Sequence, residues 1–288
     1  MRYLCVATIR VLLVLAYSSC FLLVAIVHAK TVRPKPIRPL HHSSRRDNPL
    51  SVEQDLWTPP KHRQRQQPNG PIVVLGSDES GTGALAGPLV TATVTCLDPT
   101  ATEAKLDNVV VRDGKALTLA QRQAVFEQVM NHPLYHCTIA MRQAEQIDQA
   151  ENLQQAVNEA FGESIAAMVD RLTPLFPPNQ EFLSIVDGKS SIPHLPISSR
   201  PWIKGDTIVY TIALASIVAR VTRDAWIQNE ALAQYPHFGF DLHGGYPTRE
   251  HWHALHTYGP TPLHRQSCKV VRQRQDTITT SPSTDTLM

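Results

Sequence analysis

Two adjacent carboxylates, Asp78 and Glu79, stand at the end of an apolar run. Residues 71–77 are mostly apolar and β-branched, which predicts a buried strand. Two like charges at the edge of a core repel each other and lose hydration, and a divalent cation can compensate for both costs. The glycines within residues 81–87 allow a backbone to approach a ligand closely. Carboxylates, a metal and exposed backbone amides together predict phosphate chemistry.

Two more carboxylates follow apolar runs, Asp187 after residues 182–186 and Asp206 after residues 202–205. We interpret both runs as strands, so that carboxylates from separate strand ends can meet. Hydrolysis of a phosphodiester needs an activated water and stabilised attacking and leaving oxygens, which two divalent ions about 4 Å apart provide. Together with the first pair, these carboxylates can bracket such ions.

The chain carries a series of motifs in one order: segment 78–83, the segments around residues 187 and 206, the helical stretch 212–224, and segments 235–251 and 258–265. This order closely resembles the type 2 ribonuclease H family (ribonuclease HII), endonucleases that cut RNA paired to DNA, over residues 71–273. The resemblance implies an α/β ribonuclease H-like fold, with a mixed sheet flanked by helices in a single catalytic domain. It also implies a monomer that acts on RNA–DNA hybrids and on DNA with embedded ribonucleotides. The implied products have 5′-phosphate and 3′-hydroxyl ends, and the implied roles are primer removal and ribonucleotide excision.

The same resemblance assigns roles to individual residues. The family's catalytic, metal-binding carboxylates, which hold Mg²⁺ or Mn²⁺, match Asp78, Glu79, Asp187 and Asp206. Contacts with the substrate or its surroundings are expected at Gly81, Thr82, Gly83, Lys115, Ser216, Arg220, Arg223, Tyr246 and Arg265. Tyr246 matches a tyrosine that stacks where the last ribonucleotide meets the next deoxynucleotide, and an aromatic face there can sense a missing 2′-hydroxyl. Arg265 belongs to a basic run, residues 264–274, that could follow a phosphate backbone.

Thr82 is the main departure from the family pattern. Most type 2 enzymes have Arg at this position, whereas Gly-Thr-Gly is typical of the sister type 3 family. Two alternatives therefore stay open: a type 3-like enzyme that cuts only longer RNA tracts, and a catalytically idle protein that binds hybrids. A dinucleotide-binding site at the same glycines is rejected, because residues 88–96 read as a strand where that fold needs a helix.

The coarse pattern alternates strands and helices. Strands are predicted near 71–77, 88–96, 135–142, 182–187 and 201–204, and helices near 118–131, 144–171 and 208–233. Thr118 and Gln121 have the spacing of a capping box, which marks the start of the first of these helices. The short glycine turn between the first two strands predicts an antiparallel pair, with parallel βαβ units later.

The ends of the chain differ in composition from its centre. Residues 1–29 have a basic start, an apolar run and a small residue at the end, which predicts a signal or targeting segment or a signal anchor. Residues 30–70 are predicted to be a disordered linker, 71–275 the catalytic domain, and 276–288 a disordered tail without a sliding-clamp motif. We therefore expect an enzyme without residues 1–69 to fold and to be active.

The composition of the N-terminal leader predicts where in the cell the protein is located. An ER-type signal followed by a basic, acid-free stretch resembles the leaders that reach complex plastids, with the mitochondrion as second choice. Secretion, a membrane anchor and, if the start codon is misassigned, a cytoplasmic location are the alternatives.

The net charge of +2 is unevenly distributed. Residues 1–46 contain eight Lys/Arg and no Asp/Glu, whereas residues 71–275 contain 16 Lys/Arg and 20 Asp/Glu. An acidic catalytic region needs bound cations and locally clustered basic side chains to hold nucleic acid. Cys96, Cys137 and Cys268 are an odd number without CxxC spacing, which argues against a zinc site or a disulfide framework.

Overall fold

A five-stranded mixed sheet lies at the centre of the structure, a computed structural model that describes residues 50–57, 71–104, 106 and 117–280. The strands are β1 Ile72–Ser80, β2 Leu89–Cys96, β3 Tyr135–Arg142, β4 Glu181–Asp187 and β5 Ser198–Trp202. Their order across the sheet is β3-β2-β1-β4-β5. The pairs β1–β2 and β2–β3 are antiparallel, whereas β1–β4 and β4–β5 are parallel. This arrangement confirms the predicted mixed sheet.

Helices cover both faces of the sheet. The α-helices of four or more residues are α1 Ser51–Trp57, α2 Leu119–Asn131, α3 Ala144–Gln149, α4 Leu153–Leu172, α5 Tyr210–Trp226, α6 Phe240–His243, α7 Arg249–Tyr258 and α8 Lys269–Thr280. Side chains alternate along a strand, so β1 contributes to two cores. Val73 and Leu75 pack with residues of α4, while Val74 packs with residues of α5 such as Ile212. Strand β1 is therefore buried on both faces, which explains its continuous apolar run.

The predicted elements differ from the observed ones in several details. The helix predicted at 144–171 is two helices, because Asn152 breaks the run and its side chain caps α4 by accepting from the Gln155 amide. The helix predicted at 208–233 is α5 followed by a π-helical turn at Ile227–Ala231. Strand β5 lies earlier than predicted, and Asp206 stands in a 3₁₀ turn after it rather than at a strand end. The Thr118–Gln121 capping box is present at α2.

Two segments that we predicted to be disordered contain helix. Helix α1 lies within the predicted linker 30–70. Val52 of this helix and Leu50 just before it are buried in the core, and this burial offsets the entropy cost of ordering the segment. Helix α8 continues to Thr280, into the predicted tail 276–288. Residues 1–49, 58–70 and 281–288 lie outside the described part of the chain, and so does the predicted targeting segment. Within the described part, no helix is both long and apolar enough to cross a bilayer.

Candidate active site

The four predicted carboxylates line one cleft of about 340 Å³. Asp78 and Glu79 lie among the last three residues of β1, and Asp187 is the last residue of β4. Strands β1 and β4 are parallel neighbours whose register pairs Ser77 with Val186, so their carboxyl ends deliver acids side by side. Asp206 reaches the cleft from the 3₁₀ turn Gly205–Thr207.

Hydrogen bonds hold these carboxylates in place. The Gly205 amide donates to Asp187 Oδ1 at 2.7 Å, which fixes the turn that carries Asp206 against the end of β4. Ser216 of α5 lines the cleft beside Asp78 and favours its ionised form, and the Glu79 amide donates to Asp78 Oδ1 at 2.8 Å. The geometry of the cluster therefore depends on where α5 lies relative to β1.

The cluster is electrostatically strained without a cation. Asp78 is only 6% exposed, and burial followed by the charge of Glu79 raises its pKa well above the ordinary value. Burial, and next the charge of Asp187, raises the pKa of Glu79 as well. A bound cation would relieve both effects, since it supplies the missing counter-charge.

The donor set fits a hard divalent cation, because it consists of carboxylate oxygens in a cleft. Within the described residues, no three His, Cys, Asp or Glu side chains already form a closed metal site. The four carboxylates therefore fit a divalent cation by the type and charge of their oxygen donors, and not because they already form a complete coordination shell.

The glycine loop and Tyr246 border the same cleft. Gly81 and Thr82 line it together with Tyr246, whereas Gly83 is exposed beside it. Gly81 has a φ of +98°, and a Cβ there would come within 2.5 Å of Arg223 Nε, so the loop requires glycine. The Gly245 carbonyl accepts from the amide of Leu85 at 2.8 Å, which joins the tyrosine loop to the glycine loop.

Two arginines that we predicted to contact substrate are buried instead. Arg223 and Arg265 are 0% and 1% exposed. Arg223 Nε donates to the Pro88 carbonyl at 2.9 Å, and Arg265 Nη2 donates to the Gly87 carbonyl at 2.9 Å. Arg265 Nη1 also reaches the Thr82 carbonyl at 3.4 Å. Both side chains hold the glycine loop from behind, so Arg223 supports the surroundings of the substrate, one of the roles expected for it, and Arg265 has no exposed surface for a direct contact.

The predicted basic run also includes a buried histidine. His264 is 1% exposed, and its Nδ1 accepts from the Thr261 amide at 3.0 Å, so its Nε2 carries the proton. That Nε2 donates to His251 Nε2 at 3.0 Å, and His251 Nδ1 in turn donates to the Tyr246 carbonyl at 2.9 Å. The chain of bonds requires both imidazoles to be neutral. The chain of bonds supports the Tyr246 backbone, and it leaves no ring N–H of either histidine to bind a phosphate.

Acid should therefore weaken the folded state. Burial, with a smaller effect of a neighbouring histidine, lowers the pKa of His251 to about 4 and that of His264 to about 3. The pKa of a histidine in the unfolded chain is about 6.5, so above that pH these two residues cause no loss of stability. The contribution of these two histidines falls as the pH drops from about 6.5 towards 4, because at both residues only the unfolded state takes up a proton there, at a cost of roughly 1 kcal/mol per pH unit for each proton. Urea unfolding at several pH values measures the slope.

The H251N/H264N double variant should have a lower stability and a shallower slope over this pH range. The matched control is His253→Asn, since His253 is exposed on the same helix α7 and should leave the slope unchanged. An unchanged slope in the double variant would show that other groups cause the acid sensitivity.

Of the remaining predicted residues, Ser216 and Arg220 line the cleft from α5. Arg220 Nε also lies 3.5 Å from Asp224 on the same helix. Lys115 lies outside the described residues. The sequence reasoning missed Ser80, Arg122 and Ile217, which line the cleft too.

Arg122 is the important omission. It lies in the first turn of α2, and its Nη1 donates to the Leu117 carbonyl at 2.6 Å. Its buried Nε has no partner among the described residues. Only the packing of α2 beside α5 brings it to the cleft, and the capping box at Thr118 gave its position on the helix but not its direction.

Arg122→Gln should weaken binding of a hybrid more than turnover, because it removes a cation that can pair with a substrate phosphate. The expected rise in KM is about tenfold, the scale of one hydrogen bond to a charged group. Steady-state kinetics at fixed low salt measures it. Arg171→Gln is the control, since Arg171 also donates to a backbone carbonyl, that of Cys137, and does not line the cleft. An unchanged KM for Arg122→Gln would remove this residue from the binding surface.

Comparisons with known proteins show the family of this chain. The family model described as Ribonuclease HII matches residues 75–273. Ribonuclease HII of Burkholderia thailandensis is 37% identical over 206 residues, which cover 72% of this chain and 87% of that protein. Ribonuclease HII of Paracidovorax citrulli is 38% identical over 197 residues, which cover 68% of this chain and 74% of that protein.

Solved structures share the fold. Ribonuclease H2 from Pyrococcus horikoshii has a TM-score of 0.58 at 23% identity, covering 72% of this chain and 99% of that chain. Bst-RNase HIII in complex with Mn²⁺ has a TM-score of 0.56 at 17% identity, covering 72% of this chain and 70% of that chain. The fold alone does not separate type 2 from type 3, but the family model and the sequence identities do. The chain therefore belongs to the ribonuclease HII family and is a type 2 ribonuclease H.

Proposed function

We propose that this cleft hydrolyses the RNA strand of RNA–DNA hybrids with two divalent ions, Mg²⁺ or Mn²⁺, and leaves 5′-phosphate and 3′-hydroxyl ends. The observation that carries the proposal is the convergence of four carboxylates from three separate segments in one cleft. The glycine loop and an aromatic side chain border the same cleft, as a site for a nucleic-acid strand requires.

Asp78, Glu79, Asp187 and Asp206 would hold the ions. When bound, the ions supply an activated water and stabilise the attacking and leaving oxygens. The protein fixes the ligands: the Glu79 amide donates to one oxygen of Asp78, and the Gly205 amide occupies one oxygen of Asp187 and leaves the other available. All four carboxylates must be ionised to hold the ions. Burial favours the protonated forms of Asp78 and Glu79, so both groups must lose their protons when the ions bind.

The substrate would lie across the glycine loop. Backbone amides near Gly81 and Thr82 can bind phosphate oxygens. Arg122 and Arg220 supply positive charge at the acidic cleft. Tyr246 offers a face for a sugar or base at the junction between RNA and DNA.

Two duplexes test the function, one with a single embedded ribonucleotide and one with a continuous RNA strand. We expect Mg²⁺-dependent nicking of both. Cleavage of the continuous hybrid alone would favour the type 3-like alternative, which Thr82 suggests. Binding of both duplexes without cleavage in Mg²⁺ or Mn²⁺ would favour the idle hybrid-binding protein.

For the cell we propose roles in primer removal and ribonucleotide excision, in an organelle reached through residues 1–29. The composition of the leader supports the organelle, with a complex plastid ahead of a mitochondrion. A fusion of the leader to a fluorescent reporter in the source cell tests the destination, and signal only in the medium would refute it.

A further inference from the structure

Helix α1 is packed into the catalytic unit although it precedes the family-matched residues 75–273. Leu50 and Val52 are 0% and 2% exposed. Leu50 belongs to the same core cluster as Leu214 of α5, and Val52 belongs to the cluster that contains Val74 of β1. The short helix therefore lies where α5 meets the central strand.

The buried carboxylate of Glu53 caps the N-terminus of α5. Glu53 is 2% exposed, and its Oε1 accepts from the Thr211 amide at 2.8 Å and from the Thr211 hydroxyl at 2.9 Å. The residue at the N-cap position of α5 is Val209, which has no side-chain acceptor. The first amides of a helix need an acceptor, and negative charge is stabilising there. Glu53 supplies from 158 positions away the cap that the local sequence lacks.

The start of α5 is also the point where this helix touches β1. A Cβ at Gly76 would overlap Thr211, so strand and helix are in direct backbone contact. Two residues along β1 stands Asp78, which lines the cleft together with Ser216 of the same helix. A shift at Thr211 would therefore change the distance between Ser216 and Asp78.

Two further contacts hold α1 in place. Gln54 Nε2 donates to the Pro99 carbonyl at 2.6 Å, and the Trp57 ring lies 6.4 Å from that of Phe176. Both partners come from elements of the catalytic unit, the loop after β2 and the segment before β4. Helix α1 thus contacts this unit on several sides.

We infer that Glu53 is a positioning residue for α5, and that the functional unit of this enzyme includes residues 50–57 ahead of the predicted boundary near residue 71. Through α5 it sets the place of Ser216 and Arg220 in the cleft. The inference rests on the proposed function only in that these two residues serve catalysis. It also corrects our expectation that residues 1–69 can be removed without effect, because that deletion would remove the cap and both anchoring side chains.

Three variants of the full chain test the inference: Glu53→Ala, Glu53→Asp and Glu53→Gln. Kinetics on the continuous hybrid should be measured at a temperature where circular dichroism shows each variant to be folded. Glu53→Ala and Glu53→Asp should lower kcat about tenfold with KM nearly unchanged, as expected for loss of a cap that orients Ser216. Glu53→Gln keeps an acceptor oxygen and should stay within about threefold of wild type. Asp55→Ala on the same helix is the control and should have no effect.

Hydrogen exchange gives a second readout that does not depend on activity. Amides at the start of α5, in a peptide covering residues 208–216, should exchange faster in Glu53→Asp than in wild type and Asp55→Ala. If wild type does not cleave hybrids, the proposed function fails while exchange still tests the cap. A folded Glu53→Asp variant with wild-type kcat and unchanged exchange would overturn the inference. If Glu53→Ala does not fold, the Asp and Gln variants carry the test.

Discussion

Replacing Asp78 with Asn is expected to lower cleavage of RNA–DNA hybrids by about a thousandfold or more. The substitution keeps the shape of the side chain and its place beside Ser216 but removes one charge from the carboxylate cluster. Hard cations bind a carboxylate far better than an amide, so the ions would be held poorly. Single-turnover cleavage in Mg²⁺ and in Mn²⁺ measures the loss. Glu79→Gln and Asp187→Asn should behave in the same way, and Asp206→Asn should be similarly inactive or keep slightly more activity in Mn²⁺.

The same variant should be more stable than wild type in a chelator. Burial and the neighbouring charge of Glu79 raise the pKa of Asp78, which means that its charge destabilises the metal-free fold. Thermal unfolding with and without divalent ions checks this reversal. Asp170→Asn serves as the control, since Asp170 is exposed on α4 and does not line the cleft. Near-normal cleavage by Asp78→Asn would overturn the assignment of the site.

Tyr246→Ala should reduce nicking at a single embedded ribonucleotide at least tenfold more than cleavage of continuous RNA, since base–aromatic stacking contributes about 1–3 kcal/mol. The junction between RNA and DNA occurs once in the first substrate, whereas a continuous strand offers many positions for cleavage. The Arg223 guanidinium carbon lies 4.8 Å from the centre of the Tyr246 ring and holds it at the edge of the cleft. The ratio of the two kcat/KM values measures the effect.

Tyr246→Phe is the matched control for this ratio, because it retains the ring and removes only the hydroxyl. Tyr258→Ala removes an exposed tyrosine that does not line the cleft and should leave the ratio unchanged. Thr82→Arg should tighten binding of both substrates, since it adds a charged contact worth about 1.5–3 kcal/mol when well formed. Equal losses on both substrates for Tyr246→Ala would mean that this ring does not sense the junction.

The sequence by itself predicted strands β1 to β4 to within a few residues and singled out the four carboxylates. Strand β1 could be predicted from the sequence because burial on both of its faces requires an unbroken apolar run. The Thr118–Gln121 capping box could be predicted from the sequence because its two partners are only three residues apart. Adjacent charges after a core strand are costly anywhere, so Asp78 and Glu79 stood out before their neighbours were known.

Only the tertiary structure decided the environment of the other charged side chains. Arg223 and Arg265 were expected to contact the substrate or its surroundings, and they bond carbonyls 135 and 178 positions away, behind the glycine loop. His264 read as part of a basic run and is a neutral link to the Tyr246 backbone through His251. Glu53 read as part of a disordered linker and caps a helix 158 positions later. In each case the side chain type is compatible with either surface or interior, and the choice depends on backbone groups that only folding brings near. A local pattern contains no information about those partners.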